Sequence, residues 1–472
     1  MIRSFTLSEL VEVLDGTLTG QDTSISGISI DTRTIEAGNL FVAIKGPRFD
    51  GHTYAKQAEA SGASAVVVQE IIEGLGIAQI QVRDTEKALG RLGQFNRACF
   101  HAPVVAVTGT CGKTSVKEML ASVFEQAGKV LATEGNLNNA YGVPLTLFRL
   151  EEDQQHAVVE LGTSSPGEIE YITQLTAPDV SIITNAAENH LKDLHTLEGV
   201  IHEKGFILEG LKNNGTSVLN LDDPSFLRWQ DRALKQSGRK VLSFSLSKPE
   251  ADVFASEVNS TSEGMSFRLN LNRNGVEEQA AVKLAFWGKH QVQNACCAAA
   301  AASAVGLGLD IIAKGLENAR PYQRRGTRYP LSGDVLVIDE SYNASPIATL
   351  AAIDQLADCE GKTIMVLGDM LDLGEVAKAR HVDVGKYAAA KSIDCFAAYG
   401  DASIDAVKAF NNDSGQHFEE KEALSNWVRT RIQAFREQQA DCPVTVLIKG
   451  SRGMEMLDVV RSLVGSEYKG ER

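Results

Sequence analysis

The sequence predicts an α/β protein of three domains built mainly on parallel sheets. Three observations carry that prediction. Residues 104–128 read as an apolar strand, a glycine loop and a helix. Short apolar runs then alternate with helical stretches along most of the remaining chain. And 472 residues are too many for a single core and suit about three domains.

The first observation also points to chemistry. Val104, Val105, Ala106 and Val107 form a β-prone run. Thr108 leads into Gly109, Thr110, Cys111, Gly112, Lys113, Thr114 and Ser115, and Val116, Met119, Leu120 and Val123 then recur at helical spacing up to Gly128. Strand, glycine turn, Gly-Lys-Thr and helix make a phosphate-binding loop. Glycines let backbone N–H groups close on phosphate oxygens, the helix N-terminus and Lys113 add positive charge, and the Thr114 hydroxyl can face Mg2+. The general G-x-x-x-x-G-K-[ST] pattern would place its first glycine at Val107. Here it is Gly109, so the loop is tighter. Cys111 reads as a small residue that fits the turn.

Composition narrows the function classes. A formal net charge of -15 argues against a nucleic-acid or membrane-surface protein, both of which need basic faces. Cations do cluster locally, at Arg320, Arg324, Arg325 and Arg328. The seven cysteines are odd in number and lack CxxC spacing, as expected of reduced thiols. The first residues predict an amphipathic helix rather than a basic-then-apolar signal. The alanine-rich run 295–309 is too short to span a bilayer. A cytoplasmic enzyme without membrane insertion is the expectation.

Taken in order, residues 1–102 form a first, smaller α/β unit. It has strands at 40–44 and 65–68 and a helix around 54–61. The polar loops at Asp31, Thr32 and Arg33 and at 45–52, the latter including Lys45, Phe49 and His52, flank these strands. Residues 103–320 form the central unit, a P-loop ATPase-type sheet with further strands at 157–161, 180–184 and 218–221. Glu160 closes one strand, and Asn185 and His190 follow another. Ligands of open α/β sheets bind at such carboxyl ends, so Glu160 and His190 are candidate Mg2+ partners near Lys113. His290 and Asn294 lie four apart at the start of the alanine-rich helix and share one face. Residues 321–472 form a Rossmann-like third unit with strands at 335–339, 363–367, 395–399 and 444–448. Its strand ends carry Asp339 with Tyr342 and Asn343, residues 368–370, and Lys449, Ser451 and Arg452. The tail 465–472 reads as frayed.

These motifs together resemble the Mur ligases, ATP-dependent amino-acid and peptide ligases of peptidoglycan precursor synthesis. The resemblance spans nearly the whole chain. It rests on the tight loop 108–115, on Glu134 through Asn136 to Asn139 with 142–144, on Glu160-Leu161-Gly162, on Asn185 through His190-Leu191, on Asp339 through Asn343, on 368–370 and on 449–452. Tyr342-Asn343 stands where relatives that add a single amino acid place a histidine nearby. Gln291 replaces a usual asparagine, and 163–166 departs from the commoner residues.

The resemblance implies a function and a set of roles. ATP would phosphorylate the terminal carboxylate of UDP-N-acetylmuramoyl-tripeptide, and the amine of D-alanyl-D-alanine would attack the acyl phosphate. The first domain, with Asp31, Thr32, Arg33, Lys45, Phe49 and His52, would hold the nucleotide sugar, helped by Asn136 and Asn139. The phosphate loop, His290, Asn294, Asp339, Tyr342 and Asn343 would bind ATP. An arginine from the linker would reach the γ-phosphate: Arg325 matches by spacing to Asp339, Arg328 by the local Gly-x-Arg pattern, and both stay open. Lys449, Ser451 and Arg452 would take the dipeptide. Lys204 matches, by its spacing from His190, the lysine the family carries as a carbamate beside Mg2+. A monomer is expected. Two other readings remain: a ligase of this scaffold adding one amino acid, and a nucleotide-operated switch, which would need the loop but not Glu160, His190 and a closing third domain.

Overall fold

The computed structural model describes residues 1–46, 49–261, 263–273, 275–411, 413–439 and 441–468. Pro47 and Arg48 of the predicted 45–52 loop, and the last four residues of the predicted tail, lie outside the described residues.

The first unit opens with a helix at Leu7–Leu14, where Thr6 and Glu9 close a reciprocal capping box. Its five-stranded sheet is built from Thr17–Thr19, Gly27–Ser29, Asn39–Val42, Ala65–Val68 and Ala78–Gln81. Strands Asn39–Val42 and Ala65–Val68 are buried along their whole length. That is why they read as unbroken apolar runs rather than as alternation. Helix Thr85–Ala98, capped by Asp84, covers this sheet and leads into the central domain.

The central sheet has nine strands. Val104–Thr108 sits between His156–Glu160 and Val180–Ile183, parallel to both. Thr216–Asn220 and Lys240–Ser245 extend it in the same sense. Three long strands, Val253–Thr261, Gly264–Arg273 and Val276–Leu284, then finish it as an antiparallel meander. The helix after the phosphate loop, Lys113–Glu125, and the alanine-rich helix Lys289–Ala304 pack on one face in a shared core. Alanines lining the inner side of the second helix let it sit close to the first.

The third sheet has the order Thr327–Leu331, Val335–Glu340, Val444–Lys449, Lys362–Gly368, Cys395–Tyr399 and Gly415–Phe418. All neighbours are parallel except the first pair. Helices cover both faces, giving two cores. Among the described residues no helix is long and apolar enough to cross a membrane. Phosphate loop, alanine-rich helix and the C-terminal strand ends therefore converge on one cleft.

Candidate active site

The phosphate loop is shaped by close approach. Gly109 adopts φ 151° and Gly112 φ 87°. A Cβ on Gly109 would stand 1.8 Å from Thr184 Oγ1, and one on Gly112 2.5 Å from Asn294 Oδ1. Only glycine fits both places. The segment after strand Val180–Ile183 brackets the loop. Asn185 accepts from Cys111 N at Oδ1 (3.0 Å) and donates from Nδ2 to Cys111 O (3.1 Å). Thr184 Oγ1 donates to the same carbonyl at 2.6 Å, and Thr110 Oγ1 exchanges hydrogen bonds with the backbone of Ala187 at 3.0 and 3.1 Å.

Lys113 Nζ folds back over the loop and donates to Gly109 O at 2.7 Å. Desolvation lowers its pKa, and the Glu160 carboxylate opposes that shift. Thr114 Oγ1 donates to Glu160 Oε2 at 2.8 Å, and Asn138 Nδ2 to Oε1 at 2.8 Å. Glu160 is buried at the carboxyl end of its strand, its N–H held by Thr133 Oγ1. His190 starts the short helix Leu191–Leu194 at φ 52°. Burial first, then the charges of Lys113 and Lys204, push its pKa down to about 4, so it is neutral at pH 7. Lys204, on helix Leu197–Gly205, is 3% exposed, and its ammonium has no hydrogen-bonded partner among the described residues. Burial and then Lys113 bring it down to about 7.

Among the described residues no group of three or more His, Cys, Asp or Glu side chains could hold a metal by itself. The Thr114 hydroxyl and the Glu160 carboxylate nevertheless supply hard oxygens on the phosphate side. Mg2+ commonly takes one or two protein oxygens, with phosphates and water completing its shell. This donor set fits a nucleotide-bound Mg2+.

A cavity runs from this loop to the C-terminal domain. Residues 110–115, Asn185, His290 and Asn294 line one wall, and Arg325, Glu340, Tyr342, Asn343 and Lys449 the other. Cys111 Sγ and Ser345 Oγ meet across it at 3.3 Å. The two arginines left open by the sequence separate here. Arg325 lines the cavity with its guanidinium 4.1 Å from the Tyr342 ring centroid. Arg328 lies on strand Thr327–Leu331, stacked 4.2 Å over Trp287, and is not among the lining residues.

Several expected residues take other places. Asp339 is fully buried; its Oδ1 accepts from Ser341 N at 2.9 Å, Oδ2 has no partner, and burial raises its pKa. It shapes the turn that presents Tyr342 and does not line the cavity. Lys449, expected at the dipeptide, is 3% exposed, lines the cavity beside the phosphate loop and pairs with Glu340 at 3.1 Å. The Ser451 hydroxyl is taken up locally, accepting from Leu371 N at 2.8 Å and donating to Ala344 O at 3.3 Å. Arg452 is exposed, and its guanidinium has no partner among the described residues.

A second cleft lies between the first two domains. Asp31, Thr32, Arg33 and Phe49 line it with Tyr54 and Tyr141. Lys45 and His52 do not. Lys45 Nζ is 4.0 Å from Asp50, and His52 is fixed by Asp50 at 2.6 Å and by Gln69 N, which donates to Nε2 at 2.8 Å. Asn139 braces the turn before helix Gly142–Phe148, its Oδ1 accepting from Gly142 N at 2.9 Å. Asn136 offers its backbone carbonyl to Asn138 N at 2.8 Å and lines neither cleft. Sequence reasoning missed Asn138 as the group on Glu160, Glu340 as the partner of Lys449, and the apolar wall of Ile347, Ala348 and Ala351. The last was readable as an apolar face at i, i+1 and i+4 of helix Pro346–Ala357.

Fold and site together define a three-domain α/β enzyme that uses a nucleoside triphosphate. Known proteins narrow this further. Family models for the Mur ligase family catalytic domain, the Mur ligase middle domain and the Mur ligase glutamate ligase domain match residues 24–97, 107–302 and 324–452. UDP-N-acetylmuramoyl-tripeptide--D-alanyl-D-alanine ligase of Escherichia coli (strain K12) is 40% identical, over 98% of this chain and 98% of that protein. The Haemophilus influenzae protein of the same name is 36% identical over 96% and 97%. A crystal structure of MurF from Acinetobacter baumannii superposes with a TM-score of 0.91 at 32% identity, over 98% of this chain and 99% of that one. This chain belongs to the Mur ligase family.

Proposed function

We infer that this chain joins D-alanyl-D-alanine to UDP-N-acetylmuramoyl-tripeptide at the expense of ATP, giving the pentapeptide precursor of peptidoglycan, ADP and phosphate. The single observation that carries this reading is the end-to-end similarity to ligases of that name in a chain whose phosphate loop faces the C-terminal domain across one cavity.

The chemistry brings anion against anion. An oxygen of the tripeptide carboxylate attacks the γ-phosphorus as the bond to ADP breaks. The dipeptide amine then attacks the acyl carbon, and phosphate leaves with the C–O bonding pair. Lys113 and Arg325 converge on the place where this negative charge gathers, as preorganised electrostatic stabilisation requires. Thr114 and Glu160, with neutral His190 nearby, would hold Mg2+, which supplies charge neutralisation and alignment when bound. The unpartnered, easily deprotonated Lys204 supports its assignment as a carbamate: a neutral amine captures CO2 and becomes an oxygen ligand in place of a repelling ammonium.

Roles follow the three units, 1–102, 103–320 and 321–472. The cleft of Asp31, Thr32, Arg33 and Phe49 takes the uridine end, and the aromatic pair Phe49 and Tyr54, 5.9 Å between centroids, offers a stacking surface. Exposed Arg452 holds the dipeptide carboxylate. The chain is read as a monomer, and the free thiols among the described residues suit the cytoplasm. ATP turnover tests this reading: it should need both the UDP-linked tripeptide and the dipeptide. Turnover indifferent to them would instead favour a nucleotide switch.

A further inference from the structure

We propose that Glu188 and Arg380 form a clasp that transmits seating of the C-terminal domain to the phosphate loop. Glu188 belongs to the middle domain and Arg380 to the C-terminal helix Ala377–Ala390. The pair is bidentate: Arg380 Nε donates to Glu188 Oε2 and Nη2 to Oε1, the latter at 2.9 Å. Its side chains are 34% and 27% exposed, so the contact is partly shielded from solvent.

The surroundings make this more than an incidental surface pair. Beside it, Val376 of the C-terminal domain packs on Leu191, Leu194 and Val200 of the middle domain. Lys192 N donates to Asp372 O at 3.4 Å across the same seam. On the other side, the residues just before Glu188 grip the loop: Ala187 binds Thr110 and Asn185 binds Cys111. A pull on Glu188 therefore acts one residue from a phosphate-loop anchor. Neither Glu188 nor Arg380 is among the residues lining either cleft, so they are positioning residues. The clasp rests on the reading that ligation needs the two domains seated together.

Arg380 also binds Asp383 within its own helix at 2.7 Å, which gives the control. Glu188→Gln, Arg380→Gln, the double variant and Asp383→Asn are compared with the unaltered enzyme. Ligation is followed with ATP, Mg2+, UDP-linked tripeptide and D-alanyl-D-alanine, together with thermal unfolding and small-angle scattering with and without ligands. Each single change is expected to lower kcat about tenfold and weaken ligand-induced compaction. The double should lose no more than either single, as for residues acting as one unit. Asp383→Asn should stay within about twofold, and the unfolding temperatures should agree. Multiplying losses in the double, or an Asp383→Asn loss equal to that of Arg380→Gln, would overturn the clasp. Normal ligation in every variant would also overturn it, whereas absence of ligation in the unaltered enzyme would instead refute the function.

Discussion

Thr114 Oγ1 donates a 2.8 Å hydrogen bond to Glu160 Oε2, tying the phosphate loop to the end of the neighbouring strand. The two residues are 46 apart in sequence and meet because strands Val104–Thr108 and His156–Glu160 are adjacent and parallel. The hydroxyl and carboxylate thus face the phosphate side together, with Lys113 beside them. The testable consequences start from this arrangement.

Lys113→Ala should lower ligation by roughly a hundredfold or more while the fold persists. Removing one preorganised charge from the transferring phosphoryl group costs about 3 kcal/mol, or roughly a hundredfold or more in kcat. Steady-state kinetics with circular dichroism checks this, and near-normal turnover would remove the loop from the chemistry.

Arg325→Ala and Arg328→Ala should differ sharply. Arg325 lines the cavity beside Tyr342, so its loss should lower kcat by about a hundredfold or more. Arg328 lies on Trp287, and its loss should cost about 0.5–1 kcal/mol of stability with activity within about threefold. Reversed effects would make Arg328 the phosphate ligand.

Arg452→Ala should raise the KM for D-alanyl-D-alanine much more than that for ATP. A charge-assisted hydrogen bond is worth about 1.5–3 kcal/mol, which corresponds to roughly ten- to a hundredfold in apparent affinity. Equal effects on both substrates would place the dipeptide elsewhere.

Activity should depend on CO2 through Lys204. With its pKa brought down to about 7, the amine is neutral above that pH and protonated below it. Carbamate capture should therefore weaken as pH falls through 7, and the response to added bicarbonate should be largest there. Lys204→Ala should be nearly inactive and partly rescued by a small carboxylate. A bare ammonium beside Mg2+ and nucleotide in a crystal, with full activity in the alanine variant, would contradict the assignment.

Much of the fold was legible because parallel strands buried on both faces read as continuous apolar runs. Strands Ala65–Val68 and Cys395–Tyr399 fall on their expected residues. The edge meander Val253–Thr261 to Val276–Leu284 was not legible, since much of it is exposed and rich in Ser, Asn and Glu, and strand Lys240–Ser245 beside it was missed as well. In the site, the loop residues were legible because glycine geometry and the helix start constrain them locally. His52, Asn139 and Asp339 were not, because a polar residue at a strand or helix end can brace the backbone as readily as face a ligand. In the structure these three side chains meet Gln69 N, Gly142 N and Ser341 N, partners that sequence alone does not show.

The most direct measurement is the mass of the product. The enzyme is incubated with ATP, Mg2+, UDP-N-acetylmuramoyl-tripeptide and D-alanyl-D-alanine, with single amino acids offered in parallel. The expected result is the UDP-linked pentapeptide, formed in step with ADP and only when the dipeptide is present. ATP hydrolysis without a new peptide bond, or incorporation of a single amino acid instead of the dipeptide, would contradict it.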